Sequence, residues 1–154
     1  MDKDQIKQKA HDLFLVDGGK EQGHYFHGRS MLPLFREGDR LLVRSLNWNA
    51  LRVGDVIIFR QDLKYPTRRV VRLYNRAALV VGDNWITQRQ LIQSDQIVGV
   101  VYGRSRNGHA LSSEQVRWRI YKTVCLMRFR VFERADRLLR KLARRVAGLS
   151  LISH

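Results

Sequence analysis

The sequence predicts an α+β protein: a mainly β core, with a short helix before it and a long basic helix after it. Three observations carry this expectation. Between Gly23 and Gly103, short runs of β-branched and aliphatic residues alternate with turn residues. Before that stretch, and again after it, the apolar spacing changes to the three- and four-residue steps of a helix. The basic residues also concentrate in the last segment: eleven basic and two acidic residues between Arg117 and Arg145 leave +9 of the total +15. The expected boundaries are 1–20 for the first helix, 22–108 for the β core and 111–149 for the basic helical tail.

Taken in order, residues 4–16 place Ile6, Ala10, Leu13 and Phe14 on one side of a helix, and Gly18 and Gly19 stop it. The segment Met1 to Gln8 is polar and charged, so no signal peptide is expected. Nowhere do eighteen apolar residues run together, so no membrane-spanning helix is expected either. Both observations point to a cytoplasmic protein, with peripheral association with a membrane as the alternative.

Strands are expected at Arg40–Arg44, Val56–Phe59, Arg69–Tyr74, Ala77–Val81 and Ile97–Tyr102, the last ending at Gly103. Three Gly-Asp pairs, at Gly38, Gly54 and Gly82, punctuate them, because both residue types suit tight turns. Ser112 and Gln115 then have the spacing of a capping box, with Leu111 and Val116 as its hydrophobic staple. Beyond it an apolar stripe runs through Val116, Ile120, Val124, Met127, Val131, Ala135, Leu138, Leu142 and Val146, widened by Trp118, Tyr121, Phe132 and Leu139. The first half of that stripe is expected to pack on the β core. Its aromatic residues and flanking arginines also suit an anionic membrane surface, over residues 116–146.

Composition narrows the partners. The chain has 154 residues, 44% of them hydrophobic, enough for a core without disulfides, and Cys125 alone forms no intrachain bridge. A net charge of +15 calls for an anionic partner. For nucleic acid the support is charge alone, since no helix-turn-helix, zinc finger or RNA-binding aromatic motif is visible. Five scattered histidines and one cysteine show no ligand spacing, so neither metal nor cofactor is expected. The oligomeric state is not legible.

The chemistry concentrates in Gly28-Arg29-Ser30-Met31-Leu32-Pro33. Gly28 can take backbone angles closed to other residues and Pro33 fixes φ, so the segment reads as a stiff turn presenting Ser30. A serine hydroxyl becomes a nucleophile when a neighbouring base takes its proton.

With this segment stand Gly38-Asp39, then Leu51-x-x-Gly54-Asp55-Val56-Ile57-Ile58-Phe59, then Arg69-Val70-Val71 and Gly82-Asp83-Asn84. In this order and spacing the set resembles the type I signal peptidases. They belong to a superfamily of Ser–Lys peptidases that also includes the SOS-repressor autoproteases. The resemblance covers residues 23–103 and implies a signal-peptidase-like β core with Ser30 as nucleophile of a serine endopeptidase. Its substrate would be a peptide or protein precursor. Gly28, Met31, Pro33, Arg69, Asp83 and Asn84 would support the site. In that family the base directly precedes the Arg-Val-Val strand, as lysine in bacterial enzymes and histidine in related types. Here the position is Arg68, which orients and donates but accepts no proton. Lys64 is the substitute if the Tyr65-Pro66 turn folds it inward. His24 and His27 precede Ser30, and strand alternation would turn His27 to the opposite face. The bacterial enzymes often carry a hydroxyl residue at the place of Gly28 as an oxyanion-hole donor, and signal peptidases have an N-terminal membrane anchor that is not seen here. The alternative function is an inactive descendant that binds peptides or partners through the same groove.

Overall fold

Eight strands, two short 3-10 helices (Trp48–Ala50 and Ser94–Gln96) and one long helix lie within residues 23–150, the part of the chain that the computed structural model describes. The strands are β1 (Gly23–Tyr25), β2 (Arg40–Arg44), β3 (Val56–Phe59), β4 (Thr67–Tyr74), β5 (Ala77–Val81), β6 (Gln90–Gln93), β7 (Ile97–Arg106) and β8 (His109–Ser112). The helix α1 spans Val116–Ser150. The fold is thus α+β, as the residue patterns predict. The helix expected over 1–20 lies outside the described residues.

All strand pairs are antiparallel, in the order β1-β2-β7-β3-β4-β5-β6, with β8 added beside β7. β3 explains why the sheet is buried on both sides. Successive side chains point to opposite faces. Val56 and Ile58 join a cluster with Met31, Leu34, Phe35 and Leu41, while Ile57 and Phe59 join another with Val70, Val80, Ile92 and Val100. A strand enclosed on both faces reads as an unbroken apolar run, which Val-Ile-Ile-Phe is.

β7 runs four residues past its expected end. Gly103 does not stop it; a Cβ there would lie 3.1 Å from a Leu42 methyl and 3.2 Å from the Leu111 carbonyl oxygen. The glycine lets β2 and β8 close on β7 from both sides, opposite Leu42 and Ser112. The first two Gly-Asp pairs are turns of one design. Gly38 and Gly54 have φ of +81° and +94°. Each following aspartate accepts the N–H three residues back, Asp39 from Arg36 and Asp55 from Arg52, both at 2.8 Å. Asp39 is further clasped by Arg106, with both contacts at 2.6 Å. Burial acts to raise the Asp39 carboxyl's pKa, but the hydrogen bonds from Arg106 and Arg36, with the charges of Arg106 and Arg104, hold it below the usual carboxylate range.

The helix docks by a different face from the one its longest apolar stripe suggests. Val116, Ile120 and Val124, expected to pack on the core, are 68%, 54% and 49% exposed. Val116 therefore forms no staple with the buried Leu111, and the Ser112 hydroxyl accepts the Glu114 N–H at 3.2 Å. The packed face consists of Trp118, Cys125 and Phe129, with Tyr121, Leu126 and Phe132 beside them. At about 100° per residue, these lie on another side of the helix from the Val116 stripe. Trp118 meets Phe35 edge-on with ring centroids 5.4 Å apart, and Phe129 packs on Val71 and Val81. Charge completes the docking: Glu133 pairs with Arg72 at 3.0 Å and Asp136 with Arg89 at 2.9 Å. Large rings on one face and matched acids along it outweigh a more regular but smaller aliphatic stripe.

Candidate functional site

The turn that carries Ser30 is held from both ends. β1 stops at Tyr25, and Gly28 takes a φ of +96°. The Gly28 N–H donates to one Glu37 carboxylate oxygen, and His27 Nδ1 donates to the other at 2.8 Å. These contacts, the backbone one first, hold the Glu37 carboxyl below its ordinary range. On the far side, Met31, Leu34 and Phe35 are fully buried. The Leu32–Pro33 peptide is cis, and Pro33 itself is exposed.

Ser30 is 5% exposed at the bottom of this turn. Its carbonyl accepts the Asn84 N–H at 2.9 Å. Its Oγ accepts a hydrogen bond from Arg68 Nη1 at 2.7 Å, and the same nitrogen donates to the Thr67 carbonyl at 2.9 Å. Positions 30 and 68, far apart in sequence, therefore meet at the hydroxyl. Burial lowers the pKa of the Arg68 guanidinium, which remains a cation because arginine starts so far above neutrality.

Gly82 makes the contact with Asn84 possible. A Cβ on it would lie 2.7 Å from the Ser30 carbonyl oxygen, closer than real Cβ atoms come. This third Gly-Asp pair serves a close approach, where the other two serve left-handed turns.

Behind the hydroxyl lies a buried ion pair. Arg69, with no solvent exposure, donates from Nε and Nη2 to the two Asp83 oxygens at 2.7 and 2.6 Å, and from Nη1 to the Gly54 carbonyl at 2.7 Å. Burial alone would lower the Arg69 pKa, but the Asp83 carboxylate raises it above the ordinary value. One side chain thus ties β4 to the 82–84 loop and to the Gly54 turn. The helix closes over the pair: Arg128 Nη1 donates to the Asp83 carbonyl at 3.1 Å, and Cys125 sits against both partners. Burial, reinforced by Asp83, pushes the Cys125 thiol up to about 12.

A cleft of about 560 Å³ opens over Ser30. Its walls include Gly28, His27, Lys64, Tyr65, Arg68 and Trp85. The structure thus places Ser30, Gly28, Arg68 and Lys64 around one cavity. Met31 is in the core, while Arg69 and Asp83 form the foundation. Asn84 serves through its backbone, its side chain being exposed. Lys64 is exposed, on a hairpin closed by its backbone bonds to Gln61. Strand alternation does not decide the direction of His27, because β1 ends before it; the residue borders the cleft with His24, its ring 76% exposed and paired with Glu37. Sequence reasoning missed the Glu37–His27 pair, the close approach at Gly82 and the role of Cys125 and Arg128. The available signal was Glu37 directly before Gly38-Asp39, where a chain reversal brings it back towards residue 28.

Among the described residues no three histidine, cysteine or acidic side chains gather as a metal site would require. No protein-family model matches the chain, and no curated protein matches it.

Proposed function

We propose that the chain is a serine endopeptidase of the signal-peptidase type, acting on an extended peptide in the cleft over Ser30. The observation that carries this reading is the 2.7 Å hydrogen bond from Arg68 to Ser30 Oγ at the floor of that cleft. It joins the two positions to which the family resemblance assigns nucleophile and base. Among the described strands β1 is an end strand, so a peptide can pair with its free edge and run towards Ser30.

Ser30 Oγ attacks the peptide carbonyl, the Oγ–C bond forms and the C–N bond breaks. Arg68 stays protonated and orients Oγ through its hydrogen bond, while the negative charge develops on the substrate's carbonyl oxygen. The proton must pass to another group and then to the leaving amine. His27 suits that role better than Lys64. In the neutral tautomer that gives Nδ1–H to Glu37, its Nε2 is free to accept, and a carboxylate that orients a histidine is the logic of serine-peptidase triads; its ring, 76% exposed, would have to swing onto Ser30 when a peptide fills the cleft. A lysine becomes a base when stripped of water, and Lys64 is exposed. Water then releases the acyl group from Ser30.

One feature favours a second reading, binding without turnover. Arg68 engages an Oγ lone pair where the family places a base, and an arginine at the foot of a cleft can hold a peptide carboxylate. A diverse peptide library read by mass spectrometry separates the two. Cuts by the wild type that vanish in Ser30→Ala, and weaken in His27→Gln, are the expected result. Cuts unaffected by Ser30→Ala reject the assignment. Peptides retained without cutting, joined by cleavage in Arg68→Lys, would establish the binding reading.

A further inference from the structure

The helix carries two apolar faces and spends only one on the sheet. Between Trp118 and Asp136, the rings and both acids of this stretch, Glu133 and Asp136, turn towards the strands. The outer face keeps Val116, Ile120, Val124, Met127 and Val131 at 49–68% exposure, and Leu138 and Leu142 continue it at 62% and 54%. Arg119, Arg130, Arg134 and Lys141 border it, all exposed, and among the described residues none of them pairs with a carboxylate. Because the acids are used on the docked side, the solvent side combines aliphatic and cationic groups, with Thr123 as a neutral polar residue among them.

We propose that this outer face of α1 lies on an anionic lipid bilayer, with the helix parallel to the surface, its aliphatic stripe in the headgroup boundary and its arginines on the lipid phosphates. Charge complementarity selects the occupant. A second copy of the chain would set like charges against each other along the whole helix. A nucleic acid would use the arginines but leave the aliphatic side chains wet. An anionic membrane satisfies both sets at once. Among the described residues no helix is long and apolar enough to cross a bilayer, so the attachment is along the surface.

Vesicle flotation with the full chain tests the proposal independently of any peptidase activity. The wild type should float with phosphatidylcholine vesicles that contain phosphatidylserine, remain behind with phosphatidylcholine alone, and release as salt is raised. The exposed triple change Ile120→Ser, Met127→Ser, Val131→Ser leaves the docked face intact and should weaken partitioning by about tenfold or more. Arg119→Glu with Arg130→Glu should do the same. Circular dichroism checks that each variant keeps its helix. Absence of wild-type flotation at low salt overturns the proposal. So does undiminished binding by the triple variant, which would reduce the interaction to charge alone. A wild-type dimer that the triple variant converts to monomer would assign the face to self-association instead.

Discussion

Arg68 and Arg69 are neighbours on one strand, and their circumstances are opposite. Arg69 is sealed in the interior with a carboxylate on two of its nitrogens and a carbonyl on the third. Arg68, half-buried at the floor of a cleft, meets a hydroxyl and a carbonyl, and among the described residues pairs with no carboxylate. Burial acts on both guanidinium groups in the same direction, yet only Arg69 has an anion to reverse it. The difference separates a charge matched inside the fold from one left without an anion at a cleft. A cation matched by a buried anion is committed to the fold. One given only neutral acceptors at the foot of a cavity keeps its charge for a guest or a reacting atom.

Breaking the matched pair should have the largest effect. Asp83→Ala leaves Arg69 buried without its anion, at a cost of about 3–5 kcal/mol. Urea denaturation measures this directly, and a loss below about 1 kcal/mol would mean that Arg69 does not depend on Asp83. The unmatched member should behave in the reverse way. Arg68→Met removes hydrogen bonds to groups beside an open cleft, so stability should change by about 1 kcal/mol or less. Peptide cleavage or binding should fall about tenfold or more, the scale of one hydrogen bond to a charged group. Equal effects on stability from the two variants would erase the distinction.

Asp39 sharpens the comparison with an acid whose titration is shifted. Its pKa is held below the ordinary range, so the unfolded chain takes up this proton more readily than the folded one. Its contribution is therefore complete above about pH 5 and disappears as pH falls through the folded value. In Asp39→Asn, the stability curve should sit lower near neutrality and flatten on its acid side. Acid limbs of equal slope in the two proteins would show that Asp39 is not the titrating group.

The sequence made the core strands legible because each carries its own apolar run. β2, β3 and β5 have the expected bounds, while β4 begins two residues early. β6 and β8 were hidden for the converse reason. β6 buries only Ile92 and β8 only Leu111, so neither has a pattern of its own, and both exist because a neighbouring strand offers an edge. In the site, Ser30 and position 68 could be named from local motifs. His27 could not, because its placement depends on where β1 ends and on a carboxylate ten residues away. The helix was legible as a helix, but two apolar stripes on one cylinder leave its orientation to the partner surface.

Cys125 gives this architecture a stopwatch. It is the single thiol of the chain, and it faces the sheet from the helix, against Arg69 and Asp83. Alkylating reagents attack thiolates, and a thiol pushed up to about 12 offers almost none at neutral pH. Modification must therefore wait until the helix lifts from the sheet. The rate of labelling then counts those liftings, and would slow under any ligand or surface that presses the helix down.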